Sequence, residues 1–511
     1  MPEKFYITTA IDYPNAKPHV GHSFEKVAAD VIARYHRLLG DDVQFCMGLD
    51  ENSQHVATAA AKAGVTPRQW IDDLDEQFRL AWRKLDISND VWLRTSIQEH
   101  ALASQELFRR ALANGAIYKG IYEGWYCPNC NNYYTDEDLA DGKCPEHGIT
   151  PEWLQEENYF FALSKFTEQL AALFEDKDDF VVPTTWRAET LALIRRGLRD
   201  FSVSRLVRGD TWGIPIPGDP DHVIYVWFDA LTNYVTGVGF PTDPARFARY
   251  WPADVHVIGK NITRFHCLYW PAMLIAADLP VPRQIAVHGF MTLEGQKISK
   301  TTGNLIDPVD LVDEFGSDAV RFYILREFSF AQDGDFSRAK LIARHNADLA
   351  NDLGNLLNRA AAMSNQYLGG QVPAPGGDEP GDVELRRIAD GIGPAVDRAL
   401  RVFDFPTALD SIWQLVSRAN TYVEETAPWR LAKDPAKRDR LALVLGNLAE
   451  SLRVLSLWLS PFVPGTADRI RERLGLPPVA TGDLARAGWG AHPGGLRLTR
   501  GAVLFPRIET K

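Results

Sequence analysis

The stretch His19-Val20-Gly21-His22 lies between two segments of different periodicity. Residues 5–9, before it, are a short run of aromatic and β-branched side chains, which is typical of a buried strand. Residues 25–39, after it, carry apolar side chains at near-helical spacing. A strand that passes through a turn into a helix begins a β-α-β unit, so this stretch predicts an α/β fold with a doubly wound parallel sheet.

The turn at residues 19–22 has the chemistry of a phosphate site. At the start of a helix, backbone N–H groups and the positive end of the helix dipole attract phosphates, as in Rossmann-like domains. Gly21 lets the backbone approach a ligand, and the rings of His19 and His22 can donate hydrogen bonds as charge develops on a phosphoryl oxygen. These three residues are predicted to bind ATP, with both histidines catalytic. The alternative is a structural role, in which both rings bond to neighbouring carbonyl groups.

A second stretch, residues 295–304, has lysines on either side of a small hydroxyl side chain and a glycine near each end. A loop of this kind can close on a triphosphate, where ammonium groups and Mg²⁺ stabilise the departing pyrophosphate. Alone, it would more often be a solvent-exposed turn. Together with the first motif it predicts that Lys297, Ser299 and Lys300 bind ATP and that both lysines are catalytic.

Four residues have the spacing of a metal site: Cys127-x-x-Cys130 and, further along, Cys144-x-x-His147. Each two-residue gap lets a tight turn direct both side chains at one ion, and three thiolates with one imidazole complete a closed Zn²⁺ tetrahedron. A closed site has no open position for water, so one structural Zn²⁺ is predicted. The alternative is a set of reduced thiols without metal.

Composition sets wider limits. A chain of 511 residues with 45% hydrophobic content divides into about three globular domains. The net charge of −12 argues against indiscriminate nucleic-acid binding, so RNA contact would rest on local basic surface such as residues 195–199, whose alternative is a solvated helix face. The first residues lack a leader pattern and no run of eighteen apolar residues occurs, so we expect a cytoplasmic protein without membrane contact. The absence of an evident dimerisation segment favours a monomer.

These motifs make the chain similar to the class I aminoacyl-tRNA synthetases and, within them, to the methionyl-tRNA synthetase family. Residues 19–22 match the family's HIGH motif and residues 297–301 its KMSKS motif. The likeness covers nearly the whole chain and includes the strings at residues 9–15, 225–230, 258–262, 287–289 and 504–507. It implies ATP-dependent ligation of L-methionine to methionine tRNA through methionyl-adenylate, with release of AMP and pyrophosphate. A zinc knuckle in the connective insertion is also a family feature.

The resemblance assigns a methionine pocket. Asp50 would pair with the ammonium group, assisted by the backbone of Ile11. The side chain would be enclosed by Tyr13, Trp227, Ala230, Tyr234 and His288. Aromatic faces suit a polarisable sulfur, and a tyrosine hydroxyl can reach it as a weak donor. Without the family, the Trp-x-x-Ala-x-x-x-Tyr spacing is more often core packing.

The chain departs from the family pattern at two positions of the ATP site. Asn52 stands where the family commonly has histidine, and Asn261 replaces the aspartate of a Gly-Lys-Asp string. Gly259 and Asn261 are still predicted to lie at the ribose, because asparagine can donate and accept hydrogen bonds, but the charge-based part of that prediction is open. His266 is left without a role.

The predicted organisation has five parts. Residues 1–118 and 226–290 form the two halves of the catalytic domain, 119–225 the connective insertion with the zinc knuckle, and 291–345 the KMSKS loop and a bridging region. Residues 346–511 form an α-helical bundle, with helices at 408–422 and 439–459. The resemblance assigns anticodon binding to Asn355, Arg359 and Trp429. For Trp429 the alternative is a buried structural anchor.

Four other assignments compete with this one. The isoleucine, valine and leucine enzymes share both catalytic motifs, but the resemblance gives them an editing insertion too large for residues 119–225. The cysteine enzyme places zinc in its pocket. A small nucleotidyltransferase would not need the helical C-terminal third, and a non-catalytic RNA-binding relative would not need the lysine loop.

Overall fold

The structure is a computed structural model that describes residues 2–127, 132–145, 148–207, 212–293, 296–297, 305–491 and 495–509. The strands in these ranges are β1 (Lys4–Thr9), β2 (Asp42–Leu49), β3 (Val91–Arg94), β4 (Ile117–Cys127), β5 (Asn132–Tyr134), β6 (Glu152–Phe161), β7 (Val181–Val182), β8 (Phe201–Ser202), β9 (Ser204–Leu206), β10 (Pro215–Ile216), β11 (Asp219–Ile224), β12 (Val255–Gly259), β13 (Gln284–His288), β14 (Met291–Leu293), β15 (Gln296–Lys297), β16 (Gly334–Phe336), β17 (Gln371–Val372) and β18 (Leu496–Arg497).

The α-helices in the same ranges are α1 (Val20–Leu39), α2 (Gln54–Ala63), α3 (Pro67–Lys84), α4 (Gln98–Ala113), α5 (Thr167–Asp176), α6 (Thr184–Arg195), α7 (Val226–Thr236), α8 (Pro244–Tyr250), α9 (Trp270–Ala276), α10 (Pro308–Phe315), α11 (Ser317–Glu327), α12 (Arg338–Arg344), α13 (Asn355–Leu368), α14 (Pro380–Leu400), α15 (Phe405–Thr426), α16 (Pro428–Leu431), α17 (Arg438–Leu459) and α18 (Pro464–Arg473). A 3₁₀ turn at Lys260–Ile262 and a π-helix at Phe265–Tyr269 precede α9.

The main sheet has the strand order β3-β2-β1-β12-β13-β7, and every pairing in it is parallel. Helices cover both faces, because successive side chains of a strand point to opposite sides. Along β1, Phe5 and Ile7 enter one core with α1, whereas Tyr6 enters a second core with α4 and α7. The doubly wound, Rossmann-like fold predicted from the sequence is confirmed.

The edge strand β7 comes from the segment predicted as the connective insertion. Val181 and Val182 pair with Ile285 and Ala286 of β13. The rest of the segment includes an antiparallel sheet with the order β5-β4-β6-β8. Part of residues 119–225 therefore belongs to the parallel sheet. A strand of only two residues is too short to be recognised in the sequence.

The helix after β1 begins earlier than the periodicity predicted, at Val20 instead of residue 25. His19 is its N-cap and has an extended backbone conformation. Its ring nitrogen Nδ1 accepts a hydrogen bond from Gly21 N–H at 3.2 Å, and His22 Nδ1 accepts from His19 N–H at 3.2 Å. The two histidines thus form a capping box, which extends the helix into the turn.

The C-terminal part is helical, and the helices predicted at 408–422 and 439–459 are confirmed as α15 and α17. The segment Pro435–Leu459 is long and apolar enough to cross a membrane by composition, but 89% of its apolar window is buried inside the protein. It is the central core helix of this part, since α13, α14, α15 and α18 all pack on it.

One buried arginine joins the helical part to the α/β part. The Arg321 guanidinium on α11 is fully buried and lies 2.7 Å from an Asp30 carboxylate oxygen on α1. It also donates to the carbonyl oxygens of Phe462 at 2.9 Å, Pro461 at 3.0 Å and Leu85 at 3.1 Å. Four chain segments therefore converge on one side chain.

Candidate active site

The phosphate-site histidines lie at the start of α1 with their rings 3.9 Å apart between centroids. Because a backbone N–H can only donate, His19 Nδ1 accepts from Gly21 N–H, so the neutral His19 ring carries its proton on Nε2. His22 Nδ1 lies 3.2 Å from His19 N and 3.3 Å from His19 O. Burial lowers the pKa of His22 to about 4, and the nearby Lys26 contributes to this. At neutral pH the His22 ring is therefore uncharged, and with its proton on Nε2 it could stabilise a phosphoryl oxygen by a hydrogen bond instead of acting in acid–base catalysis.

The two ends of the lysine loop are held near α1. On the C-terminal side, Ile306 O accepts a hydrogen bond from Val20 N–H at 2.9 Å, one residue after His19. On the N-terminal side, Lys297 lies in β15 and pairs with Thr292 of β14. Residues 298–304, including Ser299 and Lys300, lie outside the described residues. The described flanks of the second motif lie at the same end of the sheet as the first motif.

The hairpin that carries Lys297 is fixed by Asp333. One carboxylate oxygen of Asp333 accepts from Phe290 N–H at 2.8 Å, and the other lies 2.7 Å from Lys260 Nζ. Gly289 passes very close to this segment, because a Cβ at that position would stand 2.3 Å from the carbonyl of Gln332. Asp333 thus connects the start of this hairpin to the turn Lys260–Ile262, which follows β12.

Asp50 is placed to bind an ammonium group. It follows β2, is 1% exposed, and its Oδ1 has no hydrogen-bond partner among the described residues. Burial raises the pKa of Asp50 well above its usual range, and the negative charge of Asp229 adds to the shift. Burial likewise raises the pKa of Tyr13, with the charge of Asp50 as a further cause. A cation that enters the site would stabilise the ionised form of this buried carboxylate.

Asp229 is a second buried carboxylate, and the sequence analysis did not assign it. His100 Nε2 lies 2.6 Å from its Oδ1, and Ser104 donates to the same oxygen at 3.1 Å. Asn52 Nδ2 donates to Asp229 Oδ2 at 2.9 Å and to Thr95 O at 2.8 Å. Asn52, which departs from the family pattern, therefore holds the carboxylate whose charge acts on Asp50.

Aromatic rings form the wall beside Asp50. Trp227 stacks on Phe265 at 3.8 Å between centroids and meets Tyr13 edge-on at 6.1 Å. Trp227 Nε1 is buried without a hydrogen-bond partner in the described part of the chain. Ala230 is 4% exposed one turn further along α7. The structure brings the predicted pocket residues Tyr13, Trp227 and Ala230 together and adds Phe265 to them.

His288, at the end of β13, is held by a charged network. Its Nδ1 donates to Gly289 O at 2.7 Å, and its Nε2 lies 3.2 Å from Glu25 Oε2. Burial alone would raise the pKa of Glu25, but Lys26 and His288 outweigh it and lower the pKa to about 2. Lys26 Nζ is fully buried between Glu25 at 2.7 Å and Asp12 at 3.2 Å. This network fixes the orientation of the His288 ring.

Tyr234 is buried and its hydroxyl contacts a histidine ring. Its side chain is 1% exposed, and its hydroxyl oxygen lies 2.6 Å from His266 Nε2. His266 Nδ1 lies 2.9 Å from Ile262 O, and because a carbonyl only accepts, Nδ1 carries the ring proton. The Tyr234 hydroxyl therefore donates to His266.

The predicted ribose residues lie in the turn after β12. Asn261 is exposed, and its Oδ1 would stand 2.9 Å from a Cβ at Gly259. That same Cβ would stand 3.5 Å from His288 Cε1. The lack of a side chain at residue 259 therefore leaves space for both the Asn261 side chain and the His288 ring. Ile11 lies two residues beyond β1 and is half-buried beside this edge.

Two of the four predicted zinc ligands are described. Cys127 and Cys144 are 0% and 1% exposed and share a small buried cluster with Tyr134. The Cys144 sulfur lies 3.5 Å from Tyr134 Oη. Cys130 and His147 lie outside the described residues, and within the described ranges no three metal-binding side chains converge. The convergence of the two cysteines from separate knuckles fits a shared metal site.

The predicted anticodon residues lie on the helical part. The Arg359 guanidinium carbon is 5.9 Å from the Trp429 ring centroid, and Arg359 also pairs with Glu424 at 2.6 Å. Asn355 begins α13, one turn before Arg359, and is exposed. Trp429 follows Pro428 at the start of α16 and is only partly buried. The three form one polar and aromatic surface.

Sequence reasoning missed the residues behind the pocket. These are Glu25, Lys26, His100, Asp229, Phe265 and His266. Asp229 lay within a quoted string, and a charged residue in an otherwise apolar helix is a usable signal. The other five contact the site only because the fold brings distant segments together, and the periodicity of the sequence does not indicate such contacts.

Comparison with known proteins identifies the class. A family described as tRNA synthetases class I (M) matches residues 5–150 and 137–361. The methionine–tRNA ligase of Caldanaerobacter subterraneus subsp. tengcongensis is 46% identical over 515 residues, covering 100% of this chain and 80% of the relative. That of Bacillus subtilis is 41% identical, covering 100% of this chain and 79% of the relative.

The solved structure of Mycobacterium tuberculosis methionyl-tRNA synthetase in complex with methionyl-adenylate has a TM-score of 0.94 to this chain. The two are 42% identical, and the match covers 99% of this chain and 100% of that one. The parallel sheet, the histidine turn and the lysine loop define a class I aminoacyl-tRNA synthetase. Within that class, the chain belongs to the methionyl-tRNA synthetase family.

Proposed function

We propose that this chain is a methionine–tRNA ligase that works through a methionyl-adenylate intermediate. The observation that carries the proposal is the buried Asp50 carboxylate, one oxygen of which has no hydrogen-bond partner among the described residues, in an aromatic pocket at the same sheet edge as the predicted phosphate-site helix. The pocket offers a counter-charge for an ammonium group and aromatic faces for an apolar thioether.

In the first step the methionine carboxylate attacks the α-phosphorus of ATP. An oxygen–phosphorus bond forms to the carboxylate, and the bond to the leaving pyrophosphate breaks. No general base is required, because the nucleophile is already ionised. Acceleration comes from positioning and from charge stabilisation by His19, His22, Lys297 and Lys300, with the Mg²⁺ that accompanies ATP.

In the second step the methionyl group passes from the adenylate to the terminal adenosine of methionine tRNA, and AMP leaves. Selecting this tRNA requires contacts with unpaired anticodon bases, by stacking and by hydrogen bonds to base edges. Asn355, Arg359 and Trp429 supply an amide, a guanidinium and an indole for this purpose on one surface of the helical part.

The remaining parts of the proposal concern metal, organisation and place. Cys127, Cys130, Cys144 and His147 would hold one Zn²⁺, which when bound cross-links the two knuckles of the insertion. The division at residues 118, 225, 290 and 345 separates the catalytic halves, the insertion, the loop region and the anticodon-binding bundle. We assign the protein to the cytoplasm as a monomer.

The proposal is tested by amino-acid-dependent ATP–pyrophosphate exchange with each of the twenty amino acids. Exchange is expected with methionine alone. A Lys300→Ala variant should slow exchange by about 10²–10³-fold, as for loss of one preorganised charge donor, while methionine affinity changes little. The matched control is Lys62→Ala, which removes an exposed lysine from α2. Normal exchange in Lys300→Ala, or exchange with another amino acid, would contradict the proposal.

A further inference from the structure

His266 is a buried histidine that bridges two parts of the site. It lies in the π-helix Phe265–Tyr269 and is 1% exposed. One ring nitrogen contacts Tyr234 Oη at 2.6 Å and the other contacts Ile262 O at 2.9 Å. Both contacts are near or below the usual hydrogen-bond length, so the ring has little freedom to move independently of either partner.

The protonation state of His266 makes this bridge directional. Burial lowers the pKa of His266 to about 4, so the ring is neutral at physiological pH. Nδ1–H donates to the Ile262 carbonyl, and Nε2 accepts the Tyr234 hydroxyl proton. Only the tautomer with its proton on Nδ1 makes hydrogen bonds with both the Ile262 carbonyl and the Tyr234 hydroxyl, so the two contacts depend on each other.

The far end of the bridge is the turn Lys260–Ile262, which carries the predicted ribose residue and contacts the segment that holds the Lys297 hairpin. Asn261, at its centre, is the predicted ribose residue. Lys260 reaches Asp333 at 2.7 Å, and Asp333 holds the hairpin that carries Lys297. The near end is Tyr234, which is predicted to enclose the methionine side chain.

We propose that His266 is a positioning residue that couples the methionine side-chain pocket to the nucleotide turn at Lys260–Ile262. The inference rests on the proposed function and deepens it. When methionine fills the pocket, Tyr234 is held in place, and through His266 the Ile262 carbonyl and the turn bearing Asn261 are held with it. Adenosine and methionine therefore bind more tightly together than separately, and by linkage each strengthens the other equally.

Two substitutions divide the bridge. His266→Asn keeps a donor near the position of Nδ1 and retains the contact with the Ile262 carbonyl, but it loses the contact with the Tyr234 hydroxyl. His266→Gln keeps an acceptor near the position of Nε2 and retains the contact with Tyr234, but loses Ile262. If His266 acts as a bridge, both variants break the coupling, although each keeps one contact and a similar volume.

The experiment measures the dissociation constant of L-methionine by calorimetry, with and without saturating adenosine, on the whole protein. Adenosine is the probe because it fills the ribose site without allowing turnover. We expect adenosine to tighten methionine binding by about fivefold or more in the unaltered protein. In both His266 variants this factor should fall below about twofold, with the unfolding midpoint nearly unchanged.

Other outcomes are equally clear. A lower unfolding midpoint with an intact coupling factor would make His266 a structural residue and overturn the inference. So would methionine binding by the unaltered protein without any effect of adenosine. If one variant fails to fold, the other and Tyr234→Phe, which removes the hydroxyl, provide the same measurement. Failure of the unaltered protein to bind methionine would instead contradict the proposed function itself.

Discussion

At the scale of single residues, Asp50 combines a cost in stability with a gain in binding. Its carboxylate is buried beside Asp229, and one oxygen lacks a partner in the described structure. A binding site can retain such a group at a cost in stability, because a ligand compensates it on binding. The same feature distinguishes Asp50 from the surface carboxylates of α3.

We expect Asp50→Asn to weaken methionine binding and to raise the unfolding midpoint. Removing one partner of a buried charge pair costs about 2–5 kcal/mol, which is roughly 30-fold to several thousandfold in KM for methionine. Pyrophosphate exchange and thermal unfolding measure the two effects. The control is Asp73→Asn, which makes the same change at an exposed position of α3 and should alter neither. An unchanged KM in Asp50→Asn would remove this residue from the ammonium site.

Methionine affinity should also depend on pH. Only an ionised Asp50 pairs with an ammonium group, and the pKa of Asp50 is raised by burial and by Asp229. Affinity is therefore full above that pKa and falls as pH decreases through it, by up to about tenfold per pH unit. For Asp50 itself, folding stability moves in the opposite direction, because the folded state holds the proton more tightly than the unfolded state.

Calorimetric titration of methionine at a series of pH values from about 8 down to the usual carboxyl pKa of about 4, as far as the protein stays folded, checks this dependence. Titration of adenosine over the same range is the control, since the side-chain hydrogen bonds described for the turn Lys260–Ile262 do not involve Asp50. A methionine dissociation constant that stays flat over this range would contradict the assignment of the charge to Asp50.

At the scale of elements, the hairpin that carries Lys297 depends on a close backbone approach. We expect Gly289→Ala to lower the free energy of unfolding by about 1–3 kcal/mol, because the added methyl group must displace the segment at Gln332. Since the adjacent Asp333 holds the hairpin, adenylate formation should slow as well. Urea unfolding and pyrophosphate exchange measure the two effects.

Gly391→Ala is the matched control, because a Cβ at that helical position of α14 meets nothing within 4 Å. It should stabilise the protein by up to about 1 kcal/mol through helix propensity, with no effect on exchange. Equal behaviour of the two variants would show that the approach of Gly289 to Gln332 is not required for the hairpin.

The elements also indicate what sequence can and cannot predict. The strand at residues 5–9 and the helices at 408–422 and 439–459 were predictable, because buried faces impose their period on the sequence. The start of α1 was not, because it depends on His19 and His22 capping the backbone instead of on apolar spacing. Pocket residues came from matching motifs, whereas Asp229 and His266 act through contacts between distant segments.

At the scale of the whole molecule, Arg321 ties the catalytic part to the helical part. We expect Arg321→Met to lower the free energy of unfolding by about 3–5 kcal/mol, because the buried Asp30 loses a charged partner and three carbonyl groups lose a donor. Chemical unfolding followed by circular dichroism and by tryptophan fluorescence measures the change.

Arg387→Met is the control for this prediction, because it removes an exposed arginine that pairs with Glu384 on the surface of α14. Its stability should be nearly unaltered. If Arg321→Met behaved in the same way, the junction would have to be held by apolar packing instead.

The edge strand β7 has a consequence for any attempt to shorten the chain. Deleting residues 119–225 as a self-contained module would also remove Val181 and Val182 and leave the outer backbone of β13 without its neighbour. An uncovered edge of this kind invites pairing between molecules and aggregation. A minimal catalytic protein would therefore need to keep the segment around α5, β7 and α6, and lose only the antiparallel sheet.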